Sequence, residues 1–290
     1  MTTLSAMLRR SLPVVFALLL GASSTSAQTE LLMYDFVLPG TPQQNADYAK
    51  SLGFRGLVTR VKFPADIAKL SQYVAHAETL DDFRVMAYIP YDFNQGSSRY
   101  VWRTALPILA RAGAPLWVVV RNAPNDEVIV RVLRTMAEDA QEQDVRVVVY
   151  PHFNMSISTA EQASTFIAAV DHPNLQNSLH SCHEIRGGNQ YDMESVVEDY
   201  GHETAIVAIA GADDDAYAGP PSVLAQWSDC IKPLDNGDWS LLPFLQALED
   251  EGYEGPVILQ TFGIPGPLSH LEDSIVAYDE YLDQVVPAGG

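Results

Sequence analysis

Two short stretches hold the residues best suited to chemistry: Tyr150-Pro151-His152-Phe153-Asn154 and His180-Ser181-Cys182-His183-Glu184-Ile185-Arg186-Gly187-Gly188. A neutral imidazole carries one N–H donor and one free lone pair, so His152, His180 and His183 can each move a proton or ligate a metal. Glu184 adds a carboxylate that can act as a base. As a ligand set, His152, His180, His183 and Glu184 are rich in nitrogen and suit a borderline-soft ion such as Zn²⁺. The spacing matches neither a zinc finger nor H-E-x-x-H, so the pattern leaves open whether a metal or any other cofactor binds. The bland alternative is a set of hydrogen-bonded histidines on a rim. Proton abstraction next to a carbonyl needs a base and an electrophilic partner: His152 or Glu184 supplies the first, His183 or Lys232 the second. Lys232 stands out because only Lys50, Lys62 and Lys69 accompany it in the chain, though a solvated loop lysine is the ordinary reading. Arg60 and Arg121 can orient a substrate, and Tyr150, Asn154, His180 and Gln260 can contact it. His76, His172, His202 and His270 fall in helical or turn segments and are expected to be structural or solvated.

These residues need a scaffold that brings them to one place. Short β-branched or aromatic runs occur at 31–37, 56–61, 83–89, 116–121, 145–150, 175–183, 204–209 and 257–261. Amphipathic helical periods lie between them: Ile67, Leu70, Val74 and Ala77 share a face, as do Ile129, Leu133, Met136 and Ala140, and Leu268, Leu271, Ile275, Tyr278 and Leu282. The third helix must accommodate Pro107, and the sixth is a short one around 193–200. Near-continuous apolar strands alternating with helices imply a parallel sheet covered by helices. Eight units predict an α/β fold with a single closed (β/α)8 TIM barrel. An open doubly wound sheet is the runner-up, but its first strand would normally lead into a glycine-rich phosphate turn, and Asp35-Phe36-Val37-Leu38-Pro39-Gly40-Thr41 is not one. Polar residues gather after the strands: Asp35, Arg60, Tyr91 with Asp92, Arg121 with Asn122, His152 with Asn154, His183 with Glu184, Asp213 to Asp215, and Gln260. Turn residues gather before them, as expected where βα loops build the site. The longest such loop, 211–238, includes Gly219, Pro220 and Pro221 and is long enough to cover the mouth.

The first 27 residues read as a secretory leader: Arg9 and Arg10, an apolar run at 12–20, then small residues to Ala27. Export to the periplasm or beyond is the expectation, with the barrel occupying 28–290. No later stretch approaches the roughly 18 uninterrupted apolar residues of a membrane span. The formal charge is −20, and loss of the leader removes two more positive charges. That excludes the basic stripe that nucleic acid requires and leaves a small-molecule, sugar-type ligand as the expected partner. The acidic residues are spread evenly, as on a solvated surface. Two cysteines, Cys182 and Cys230, are equally compatible with a disulfide and with free thiols.

The strand order, the segments YPHFN and CHEIRGG, and the run IKPLDNGDWSLLPFLQALEDEGYEGPVILQTFGI are similar to the xylose isomerase-like TIM barrels, the group containing sugar phosphate isomerases and epimerases and endonuclease IV. The resemblance is clearest over 145–264 and looser over the first four units. It implies a divalent metal held by a Glu ending strand five, an Asp-x-x-His motif ending strand six, a His after strand seven and a Glu ending strand eight. Those positions fall at Tyr150, at His180 and His183, and at Gln260, with no histidine around 209–213. Only His183 matches by type, so the family's metal site is expected to be degraded. Two functional readings follow. One is an enzyme acting on a sugar or polyol derivative by isomerisation, epimerisation or elimination. The other is a non-catalytic carbohydrate-binding barrel in which Tyr34, Tyr88, Tyr91, Tyr150, Trp227 and Trp239 stack on sugar faces.

Overall fold

A computed structural model describes residues 30–214 and 227–287. The leader, Asp215, Gly219, Pro220 and Pro221 lie outside the described residues. Eight parallel strands close into a barrel in chain order, β1 pairing with β8. They are β1 Leu31–Tyr34, β2 Gly56–Arg60, β3 Arg84–Asp92, β4 Leu116–Arg121, β5 Val147–Val149, β6 Leu175–His180, β7 Thr204–Ile209 and β8 Val257–Leu259. The helices are α1 Pro42–Leu52, α2 Asp66–Ala77, α3 Ser98–Ala112, α4 Asp126–Gln141, α5 Ala160–Val170, α6 Ser181–Glu184, α7 Met193–Tyr200, α8 Leu242–Asp250 and α9 Ser269–Leu282. The closed barrel expected from the sequence is therefore the fold, and the open sheet is excluded.

Local signals set the helix ends. Thr41 and Gln44 form a reciprocal capping box before α1, Pro42 occupies its first turn, and Gly53 ends it at φ 110°. Asn125 and Thr159 each accept a backbone N–H at the starts of α4 and α5. Pro107 is accommodated inside α3 on its exposed side. The strands are apolar on both faces because one side meets the helices and the other fills the lumen. Much of the lumen is aromatic. Tyr34 stacks on Trp117 with centroids 6.0 Å apart, Trp117 on Tyr150 at 4.3 Å, and Tyr150 on His180 at 5.4 Å, all four buried. The indole N–H of Trp117 donates to Ser178 Oγ at 2.9 Å, and Ser178 Oγ–H donates to the Val149 carbonyl at 2.7 Å. Buried polar atoms in this column are thus paired.

Three strand ends depart from the sequence reading by three residues. After β1, residues 35–37 tighten into a 3₁₀ turn, because the Asp35 carboxylate is held by Thr59, Tyr73 and Lys69. β3 runs on to Asp92 through Pro90, since β4 offers partners as far as Arg121. Most consequentially, β6 stops at His180 and residues 181–184 turn into α6, with Ser181 Oγ accepting the Ala210 N–H at 3.2 Å. In a strand, side chains three positions apart point to opposite faces. The helical turn instead brings His180 and His183 together, with ring centroids 4.3 Å apart.

Candidate active site

A cavity of about 350 Å³ opens at the C-terminal ends of the strands. Its wall includes Arg60, Arg121, Tyr150, His152, Asn154, His183 and Gln260 from the residues expected on sequence grounds. Lys62, Phe36, Tyr88, Phe153, Phe262 and Trp227 are among the others that line it. Lys62 was not singled out from the sequence, yet the signal was there: two residues beyond Arg60, it continues the period-two alternation of β2.

His152 sits in a tight turn after β5. Its N–H bonds to the Ile157 carbonyl at 2.8 Å, and Asn154 adopts φ 63°, a left-handed conformation that asparagine tolerates better than most residues. The imidazole Nδ1 lies 3.0 Å from the Phe153 carbonyl and must donate to it, so in the neutral ring Nε2 carries the free lone pair. Burial lowers the His152 pKa; the carbonyl contact opposes the shift and the charge of Arg121 reinforces it. His152 is therefore neutral near pH 7. The His183 ring lies 4.0 Å from that of His152, centroid to centroid. Burial holds its pKa well below the ordinary range, with His152, His180 and Arg186 adding to the effect. Its Nε2 lies 3.3 Å from the Tyr150 hydroxyl, which also takes a hydrogen bond from Tyr34 Oη at 3.2 Å.

Three candidate residues are placed elsewhere. His180 is fully buried beneath the cavity floor, stacked on Tyr150, and does not line the cavity. The Phe262 N–H fixes Gln260 Oε1 at 2.9 Å, so Gln260 Nε2 donates to His180 Nε2 at 3.2 Å, leaving the His180 Nδ1 proton towards Cys182 Sγ, 3.5 Å away. Glu184 faces away from the cavity: its two oxygens accept from the Ala160 N–H and from Asn189 Nδ2, each at 2.7 Å. Its carboxylate thus serves the N-terminus of α5, where the helix dipole favours negative charge. Lys232 pairs with Asp213 at 2.6 Å beside the antiparallel bridge Gly211–Lys232, joining the segment after β7 to the segment that begins at Trp227. Lys232 as electrophile and Glu184 as base therefore lack the position those roles need. Of the other histidines, His76 contacts Asp47, His172 accepts the Asn174 N–H, and His270 contacts the Pro267 carbonyl. Cys182 and Cys230 are both buried and free. Among the aromatics, Tyr34 is buried in the lumen stack, Tyr91 packs against Phe93, and Trp239 donates to the Gln190 carbonyl.

The model of the xylose isomerase-like TIM barrel family matches residues 46–279. The chain belongs to this family. Solved structures of similar fold include the 3-keto-D-glucoside 4-epimerase YcjR from E. coli, with TM-score 0.68, 17% identity and coverage of 87% of this chain and 99% of that one. A D-allulose 3-epimerase from Methylomonas sp. aligns with TM-score 0.64, 16% identity and coverage of 89% and 98%. A probable 3-DHS dehydratase, AsbF, from Bacillus anthracis aligns with TM-score 0.66, 12% identity and coverage of 89% and 99%. At such identities these likenesses speak to fold alone. No curated protein matches the chain by sequence.

For this xylose isomerase-like barrel, the carboxylate metal site associated with the family can be tested directly. Where carboxylates would stand, Tyr150, His180 and Gln260 hydrogen-bond with their neighbours as neutral groups. A hard divalent ion needs anionic oxygens to compensate its charge, so these residues do not fit Mg²⁺ or Mn²⁺. Among the described residues, one group brings metal-ligating atoms within 4.8 Å of one another: His180, Cys182 and His183. Its nitrogen and sulfur atoms are a donor set for a borderline-soft ion such as Zn²⁺. Glu184, expected in such a set, is replaced there by Cys182, and His152 stands outside it. No described helix is long and apolar enough to cross a membrane.

Proposed function

We propose that the protein is an exported enzyme acting on a sugar or polyol derivative by proton transfer at a carbon next to a carbonyl, giving isomerisation, epimerisation or elimination. The observation that carries the reading is the pair of neutral imidazoles, His152 and His183, with centroids 4.0 Å apart on one cavity wall. His152 Nε2 has the free lone pair and takes the proton; the departing C–H electrons move onto the carbonyl oxygen as an enolate. His183 stabilises that oxygen with an Nε2–H shared with the Tyr150 hydroxyl 3.3 Å away, and Arg60 and Arg121 hold the substrate. The similarity in fold to two sugar epimerases and a dehydratase supports this reaction class. Export is supported by the leader pattern of residues 1–27.

The test is solvent exchange. The purified protein is incubated in D₂O with a panel of ketohexoses and 3-keto-sugars, and deuterium at the carbon next to the carbonyl is followed by NMR. Exchange is expected with at least one member, and His152→Ala and His183→Ala should each slow it by about 100-fold or more. Binding of the same sugars without exchange would replace this reading with the carbohydrate-binding one, which the loss of the family's carboxylates and the presence of Trp227 in the wall favour.

A further inference from the structure

The chain has 17 lysines and arginines against 37 aspartates and glutamates. Positive charge is therefore scarce. The cavity inverts that balance. Arg60, Lys62 and Arg121 all line it, and among the described residues no aspartate or glutamate does. None of the three forms an ion pair among the described residues. Arg60 lies 5.8 Å from the Phe36 ring centroid and Lys62 Nζ 5.0 Å from that of Phe63. Arg121 Nε is buried with no hydrogen-bond partner. A buried guanidinium N–H left unpaired loses its hydration without a compensating bond, so its retention calls for a partner supplied from outside the chain.

One carboxylate stands nearby. Burial pushes the Asp92 carboxyl up, but hydrogen bonds from Asn122 and the Asn94 N–H, with the charges of Arg121 and Lys62, outweigh it and leave the group acidic. Asp92 Oδ1 already accepts from Asn94 N at 3.0 Å and Asn122 Nδ2 at 2.8 Å. A single carboxylate cannot balance three cations.

We infer that the ligand of this cavity carries an oxyanion, a carboxylate or a phosphate, seated among Arg60, Lys62 and Arg121 over the ends of β2 to β4. The rest of a sugar-sized molecule then reaches His152 and His183 over β5 and β6, within a cavity at the small end of the usual range for ligand sites. The planar guanidinium fork of Arg121 matches either group through charge-assisted hydrogen bonds. This deepens the proposed function by naming the substrate class, and it rests on that reading only for where the reacting carbon lies.

Binding alone tests it. The full chain is titrated calorimetrically with D-glucose, D-glucuronate and D-glucose 6-phosphate at fixed ionic strength. At least one anion is expected to bind about 10-fold or more tightly than glucose. Preference for glucuronate assigns a carboxylate, and preference for glucose 6-phosphate a phosphate. Arg121→Met and Lys62→Met should each remove most of the preference for the anion over glucose; Lys62, two residues beyond the end of β2, serves as the variant outside the strands. Equal affinity for all three, no detectable binding of either anion, or an anion preference that survives both substitutions overturns the inference. If the anion preference holds and solvent exchange fails, the binding site stands and the proton-transfer reading falls alone.

Discussion

His152 owes its chemical state to two neighbours, the Phe153 carbonyl that fixes the tautomer and the surrounding wall that excludes water. Because its pKa is lowered and the working form is the unprotonated ring, activity should rise with pH through that lowered value and level off by neutrality. The acid limb of kcat/KM is expected below the ordinary histidine value of 6.5 and should be absent from the residual activity of His152→Ala. A limb centred above 6.5 would show that another group supplies the base. Tyr150 acts differently: it accepts from Tyr34 and meets His183 Nε2 while its ring stacks on Trp117. Tyr150→Phe keeps the stack and strands two buried polar groups. It should lower stability by about 1–3 kcal/mol in urea unfolding, and a loss below about 0.5 kcal/mol would mean that water takes the place of the hydroxyl. Since neutral groups stand where carboxylates would hold a hard ion, millimolar Mg²⁺ or Mn²⁺ should not raise turnover of protein stripped with chelator; a several-fold gain would contradict that reading of the site.

The turn from β6 into α6 joins the site to the wall. It places His183 at the cavity and Glu184 on the opposite side, under the first turn of α5. Burial raises the Glu184 pKa from 4.5 to about 7, against the opposing effect of its hydrogen bonds from the Ala160 N–H and Asn189. The unfolded chain ionises this group more readily than the folded one. Its contribution to stability is therefore fully present below about pH 4.5 and is lost as pH rises through about 7. A shift of that size corresponds to something on the order of 3 kcal/mol between the two limits. Glu184→Gln cannot ionise, so the difference in unfolding free energy between pH 5 and pH 8 should shrink by a large part of that amount. Identical pH profiles for the two proteins would place the proton elsewhere.

The net charge of the whole molecule governs which partners can approach. At −20, with no basic stripe in the sequence and, among the described residues, no carboxylate cluster to hold catalytic ions, the protein should leave abasic DNA uncut although its fold resembles that of endonuclease IV. Incision by the purified chain above the buffer control would contradict this.

The alternation of apolar runs with helical periods determined the barrel, because a strand covered on both faces and a helix with one apolar stripe have few ways to bury what they expose. The polar residues after each strand likewise marked the rim at which the cavity opens, since βα connections leave the strands only there. Arg60, Arg121, Tyr150, His152, His183 and Gln260 were legible for that reason. What the sequence could not decide was direction. Glu184 looked like a base, and only the turn into α6 shows its oxygens committed to α5. His180 and His183 differ by three positions, which means opposite faces in a strand and neighbouring rings in a helical turn. The choice between those was made by Ser181 meeting the Ala210 N–H, a contact 29 residues apart in sequence. Lys232 found Asp213 by the same kind of long-range pairing. Such contacts arise from how strands register around the closed barrel, and nothing in the local residue pattern encodes them.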